Sequence, residues 1–274
     1  MRQINPIEIG GLKPAKITSA MPVYKVLPLD VLRVDECYQR ELNQKSLQLI
    51  KKIVNEWSWN AFKPLIVARD GAFYDIIDGQ HTAVAAATHG GIPALPAMVV
   101  EANTQIEQAD SFARQNRDRI RVSPLQLHFA DLAAGKDDAL LVQEVCEAAG
   151  VVVLRYAPHA SKGGVGFEAG QTISVQAIDA LIKRITAREA IRVLSVCTRA
   201  RCKPVSALYI RAVERLLFDP EYRGQFCEDK LVKILTNHGA ELEDEASRFA
   251  AEHRTTNWRA LASVINMHSH RRRA

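Results

Sequence analysis

Pro64 to Ala86 reads "PLIVARDGAFYDIIDGQHTAVAA", and its punctuation decides the fold. "PLIVAR" has the apolar, β-branched character of a buried strand. Asp70-Gly71 is a hairpin signal, and "FYDIID" is the returning strand. Gly79 then turns the chain into a run of small residues with helical character, read as a helix over 82–89. Gly90-Gly91 stops it. A strand that feeds a glycine turn and a helix leaves backbone N–H groups pointing outward, which is a ready anion site. Gln80, His81 and Thr82 stand at that turn. The plainer alternative is that Thr82 or Asp78 caps the helix and nothing binds.

The surroundings extend the α/β pattern. "YKVLPLDVLRVD" begins as a short strand. "NQKSLQLIKKIVNEW" places Leu47, Ile50, Ile53 and Val54 at helical spacing with lysines opposite. "ALPAMVVE" is a further strand. After Glu101 the strand signal nearly vanishes. Ser123-Pro124 opens a helix with Pro at its first position. "DDALLVQEVCEAAG" is a helix closed by Gly150, and "VVVLRY" is a short strand candidate. A loop with four glycines between Gly163 and Gly170 follows. Thr186 and Glu189 form a capping box, so one helix ends near Ile185 and another begins there. The expected fold class is α+β. An arm spans residues 1–23, a small mixed-sheet α/β domain spans 24–102, and a mostly helical domain with a basic tail spans 103–274.

The 274 residues are 47% hydrophobic and 24% charged, enough for a real core. Five cysteines without a CxxC pattern imply reduced thiols rather than a disulfide framework or a zinc site. No secretion signal and no membrane-length apolar run appears, so the expectation is a cytoplasmic protein with no membrane partner. No metal site is expected. The formal charge is +5, but its distribution says more. Lys183 to Arg215 holds nine Lys/Arg against two acids, whereas Glu228 to Glu252 holds seven acids against three bases. Arg188 and Arg192 share a helix face, with Arg199 two turns on and Arg201 and Lys203 after it. Leu194, Val196, Leu208, Ile210 and Leu217 supply the apolar side. Arg188, Arg192, Arg199, Arg201 and Lys203 are therefore expected to contact DNA backbone without reading sequence. Six such contacts would weaken affinity roughly 10³-fold between 50 and 200 mM salt. The alternative is that this face packs on the acidic segment, Glu241 to Glu252, leaving the helices for homo-oligomeric assembly.

Several motifs in one order resemble the N-terminal domain shared by ParB partition proteins and sulfiredoxin. "YQRELNQKSLQLIKKIV" (Tyr38–Val54) resembles the ParB opening, where a Gln and an Arg precede a helix. The hairpin and "DGQHTAVAA" resemble the ParB hairpin ending in its Gly-Glu-Arg-Arg box. "QNRDRIRVSPLQ" (Gln115–Gln126) resembles its Glu-Asn-x-x-Arg motif, with Asn116, Arg119 and Pro124 in register. The resemblance covers about residues 24–130. It implies a ParB-like, DNA-associated protein with a nucleotide pocket for CTP or ATP and magnesium, formed by Gln39, Arg40, Gly79, Gln80, His81, Thr82, Asn116 and Arg119. The sequence departs from the family where phosphate is gripped. His81 and Thr82 replace two arginines, and Gln115 replaces the glutamate. Without a charge-assisted hydrogen bond at each such position, anion binding is weaker by roughly 1.5–3 kcal/mol, so the resemblance implies an altered pocket. Sulfiredoxin chemistry is excluded, because Gln80 stands at its cysteine. The Asp-Gly-Gln-His form is nearer to the box of phage and mobile-element relatives, which implies such an origin.

The runner-up is a nucleotide-dependent enzyme on the same fold, an NTPase or small-molecule phosphotransferase, with Asp35 or Glu36 as general base. A nuclease would need clustered carboxylates, and Asp70, Asp75 and Asp78 are the nearest approach to a cluster. No P-loop or G-x-G-x-x-G is present. No catalytic residue is assigned. A compact helix-turn-helix after the ParB-like motifs is not evident, because the helix near 138–149 runs into the glycine-rich loop.

Overall fold

The structure, a computed structural model, describes residues 3–37, 39, 41–117, 122–158 and 166–270. Its contacts divide the chain into two units, residues 1–120 and 121–274.

The first unit is a five-stranded mixed sheet. β1 (Val23–Pro28) lies antiparallel to β5 (Ala94–Val100), and β5 runs parallel to β3 (Leu65–Asp70). β3 pairs antiparallel with β4 (Phe73–Asp78), whose outer edge takes the two-residue β2 (Leu32–Arg33) in parallel. The order is β1-β5-β3-β4-β2. β3 is central, and Leu65, Val67 and Ala68 are fully buried, as a strand covered on both faces requires. One face of the sheet packs Leu65, Val67, Ile76 and Leu95 against α2 (Gln80–His89), and α2 packs on α1 (Gln44–Asn55). The other face packs Ala68 and Ile77 against Phe112 of α3 (Gln105–Arg117). α3 therefore belongs to the first unit, although sequence periodicity groups it with the helices that follow.

The hairpin closes at Asp70–Phe73, with Gly71 at φ +59°. At its other end the ladder slips. Val67 pairs with Ile76 but Ile66 pairs with Asp78, so Ile77 is an extra, bulged residue. Gly79 follows at φ +104°, a conformation costly for any residue with a Cβ. A Cβ there would also lie 2.5 Å from Leu65 Cδ2. α2 starts at Gln80, two residues before the start expected from sequence, so Gln80, His81 and Thr82 form its first turn. Gly90 ends it in the left-handed conformation. In α1, Ile50 is buried and Ile53 and Val54 are half-buried, but Leu47 is exposed despite its spacing.

The second unit is helical, built from α4 (Pro124–Ala133), α5 (Asp137–Ala148), α6 (Val175–Arg184), α7 (Ala187–Arg199), α8 (Ala207–Phe218), α9 (Glu228–His253) and α10 (Asn257–His270). Both helix starts read from sequence carry complete capping boxes, Ser123 with Gln126 and Thr186 with Glu189. α7 lies at the centre, with Ala190, Val193, Leu194, Val196 and Cys197 fully buried. β6 (Val152–Val153) pairs with β7 (Gln171–Thr172) in parallel. Thr172 fastens this pair to the helices, because its buried hydroxyl donates to the Val205 carbonyl at 2.6 Å. The five cysteines are all free thiols, and burial pushes Cys146 up to about 12. Among the described residues no helix is long and apolar enough to cross a membrane.

Two consequences are measurable. Gly79→Ala should destabilise the first unit by roughly 2–5 kcal/mol, from backbone strain plus overpacking against Leu65. Hydrogen exchange of the β3 and β4 amides would read this, and unchanged protection would refute the close approach. In the second unit, burial lowers the pKa of His128 below its usual 6.5, opposed by the carboxylates of Asp131 and Asp179. Its Nε2 is buried with no hydrogen-bond partner among the described residues. A depressed histidine favours the folded state fully above its unfolded pKa, and that contribution is lost as pH falls through the folded value. The melting temperature of this unit should fall as the pH drops below about 6.5, and His128→Gln should flatten the fall.

Candidate functional site

The end of β4 and the start of α2 open onto a cleft of about 400 Å³. Gln39, Asp78, Gly79, Gln80, His81 and Thr82 line it, with Leu49, Ile53, Pro64 and Phe112 as apolar wall and Lys63 at the rim. The helix start carries no side-chain cap, so neither Thr82 nor Asp78 caps it. The first N–H groups of α2 and the positive end of its dipole face this region without a capping oxygen.

Gln39 is placed by the bulge. Its Nε2 donates to the carbonyls of Ile76 at 2.9 Å and Ile77 at 3.1 Å. β2 pairs with β4 only as far as Asp75, so beyond it that edge has no strand neighbour. Successive carbonyls of a regular strand point to opposite edges; the slip at Ile77 lets one amide reach both. Gln39 thus spends its donors on β4.

Five of the eight residues expected to form the pocket therefore line one cleft: Gln39, Gly79, Gln80, His81 and Thr82. Arg40 and Arg119 lie outside the described residues, and so does the side chain of Asn116, whose backbone lies in the last turn of α3. Lys63 was missed by sequence reading. It stands just before a strand-initiating proline, with no motif to mark it, and it reaches the cleft only because β3 begins beside the α2 terminus. Lys63 is exposed, and no ion pair involves it among the described residues.

Three of the carboxylates considered for catalysis, Asp35, Asp70 and Asp75, are engaged elsewhere. Asp35 accepts from the Gln105 side chain at 2.8 Å and from the Cys37 backbone N–H at 2.8 Å. These bonds hold its pKa below the ordinary value and make it a weaker base. Asp70 and Asp75 both bind the Arg33 guanidinium, at 2.6 and 2.8 Å. Among the described residues no group of three or more His, Cys, Asp or Glu is arranged to hold a metal ion.

The basic stretch is redistributed by tertiary contacts. Arg192 pairs with Glu228 at 2.6 Å, and Arg199 pairs with Asp229 and, at 3.9 Å, with Glu228. The acids that meet this face are those of the first turn of α9, not Glu241 to Glu252. Lys183, Arg184 and Arg215 are paired as well. Arg188, Arg201 and Lys203 are exposed with no acidic partner among the described residues. Arg188 sits at the start of α7 and the other two lie just past its end, so the free cations flank the paired ones.

No protein-family model matches the chain, and no curated protein matches it. Solved structures give weak likenesses. The C-terminally truncated chromosome-partitioning protein ParB from Caulobacter crescentus, complexed with CTP-gamma-S, is 13% identical with a TM-score of 0.38, covering 64% of this chain and 94% of that one. The pNOB8-like ParB-N domain is 14% identical with a TM-score of 0.30, covering 92% and 96%. The same Caulobacter protein complexed to the centromeric parS site is 10% identical with a TM-score of 0.27, covering 89% and 99%. At these scores the likenesses carry no weight for function.

Proposed function

We propose that this chain is a ParB-like, DNA-associated protein whose first unit holds the phosphate of a nucleotide, CTP or ATP, at the N-terminus of α2. The observation that carries the reading is the uncapped helix start opening into a cleft with Gln39, Gln80, His81, Thr82 and Lys63 around it. The order of ParB-like motifs supports it independently, because the Gln before α1 and the box come from separate segments and both line one cleft. The charge of the cleft suits a single phosphate better than a full triphosphate. Lys63 adds one cation, Asp78 adds one carboxylate, and the two box arginines are absent. The α2 N–H groups and Lys63 would hold the phosphate. A phage or mobile-element origin fits the Asp-Gly-Gln-His form of the box. The DNA contact falls to Arg188, Arg201 and Lys203, the cations of that region left without acidic partners.

Calorimetric titration with CTP, ATP and inorganic phosphate, each with magnesium, tests the cleft. Thr82→Arg restores a cation at the phosphate and should tighten nucleotide binding tenfold or more, whereas Lys63→Glu should weaken it. Absence of binding in both wild type and Thr82→Arg would end the nucleotide reading. For DNA, three phosphate contacts give a salt slope of about −2.7, a loss of roughly 40-fold between 50 and 200 mM salt. Arg188→Glu combined with Arg201→Glu should abolish binding to duplex without unfolding, since both side chains are exposed. A flat anisotropy titration at 50 mM salt would remove DNA and leave the helical unit as an assembly module.

A further inference from the structure

α8 presents Arg211, Glu214, Arg215 and Phe218 at helical spacing on one face, and this face does not belong to either site above. With Arg184 at the end of α6 and Trp258 at the start of α10, it lines a separate cleft of about 510 Å³, within the size range of small-ligand pockets. Its walls combine two aromatic rings with guanidinium groups. The Trp258 ring has Arg259 at 5.1 Å from its centroid and Arg211 and Arg215 each at 6.0 Å.

The charges of this cleft do not cancel. Glu214 is held in a two-point pair by Arg184, at 2.8 and 2.7 Å. Arg215 is paired with Glu221 at 2.5 Å. Arg211 and Arg259 are exposed and have no acidic partner among the described residues, so the positive excess stands beside the indole. One donor is also unspent. Arg215 Nε is buried with no hydrogen-bond acceptor among the described residues, and Asp219, which also lines the cleft, lies at 3.6 Å, a charge contact beyond hydrogen-bond reach.

We infer that this cleft is a nucleotide-binding site distinct from the α2 terminus, taking an unpaired nucleobase against Trp258 and Phe218 and its phosphate on Arg211 and Arg259. Stacking on an aromatic ring tolerates any base, because every base has a π face, and arginine beside the ring adds charge for the backbone. A simple anionic surface would need the arginines but not the aromatic walls; a simple apolar pocket would not surround an indole with guanidinium groups. The nucleotide could arrive free or as part of a single strand, and the same chemistry serves both.

Anisotropy of a fluorescein-labelled dT₁₂ strand at 50 mM salt, with the full chain, tests this, with dTMP and a poly-glutamate peptide as competitors. The wild type should bind, and Arg211→Ala and Trp258→Ala should each weaken binding at least about fivefold. Arg211 is exposed and unpaired, so its variant tests the site even where Trp258→Ala unsettles the start of α10. Competition by dTMP assigns the site to free nucleotides as well, and binding of dT₁₂ without competition by dTMP assigns it to single strands. Either result supports the inference. Wild-type binding that both variants retain, absence of binding, or competition by poly-glutamate as strong as by the strand itself would overturn it. The same titrations in the Arg188→Glu Arg201→Glu background separate this cleft from the duplex surface: dT₁₂ binding that this background abolishes would also overturn the inference.

Discussion

The first unit depends on how closely Gly79 approaches Leu65. Leu65 opens the central strand and is fully buried, and the chain must pass directly over it to leave β4 and enter α2. Only a residue without a Cβ makes that passage unhindered, because a Cβ would lie 2.5 Å from Leu65 Cδ2. The same residue must adopt a positive φ to redirect the chain. These two demands coincide at one position, and their result is the site. The helix start is aimed at the cleft because the turn is sharp, and it stays uncapped because a glycine holds the cap position where Ser or Asp commonly stands. The bulge at Ile77 and the Gln39 amide belong to the same construction: the slip in register leaves carbonyls that strand pairing does not satisfy, and the loop carrying Gln39 answers them.

What the sequence made legible is what short-range chemistry controls. The hairpin at Gly71, the stop at Gly90, the helix start at Ser123-Pro124 and the capping box at Thr186 each depend on residues within four positions of one another, and each stands where local reading places it. The mixed-sheet domain followed by helices was legible for the same reason. The start of α2 was misplaced by two residues because polar side chains at a helix start resemble a turn when only their type is considered. Leu47 shows the opposite failure. Its spacing is right for a buried face, but no element covers that edge of α1. The β6–β7 pair was half visible, since a two-residue strand such as Gln171–Thr172 has no periodicity to detect.

Five residues of the expected pocket line one cleft, but the charges around it were not readable. Gln80, His81 and Thr82 were marked by the turn, and Gln39 by its place before a helix. Lys63 had no such mark, because its relevance arises from the parallel pairing of β3 with β5 that sets where β3 begins. Likewise, Asp35, Asp70 and Asp75 looked available as separate carboxylates. Asp35 is held by Gln105, 70 residues away, and the other two by Arg33, 37 and 42 residues away. Contacts at such separations are set by topology and leave no local trace.

The basic stretch carries this argument furthest. Nine bases against two acids suggest a strongly positive face, yet five of the nine meet carboxylates. Exposed pairs of this kind contribute little to stability, about 0–1 kcal/mol each. Their consequence is for partners rather than for folding. A phosphate approaching Arg192 must also approach Glu228, which stays within a few ångströms of the same guanidinium, so the attraction gained is offset by repulsion from the acid. Cations without such neighbours carry no such offset. These are the cations proposed for the two partners: Arg188, Arg201 and Lys203 for a duplex backbone, and Arg211, with Arg259 of α10, for a phosphate beside Trp258. Local acid placement, more than the count of arginines, decides which cations of the stretch are left without a carboxylate.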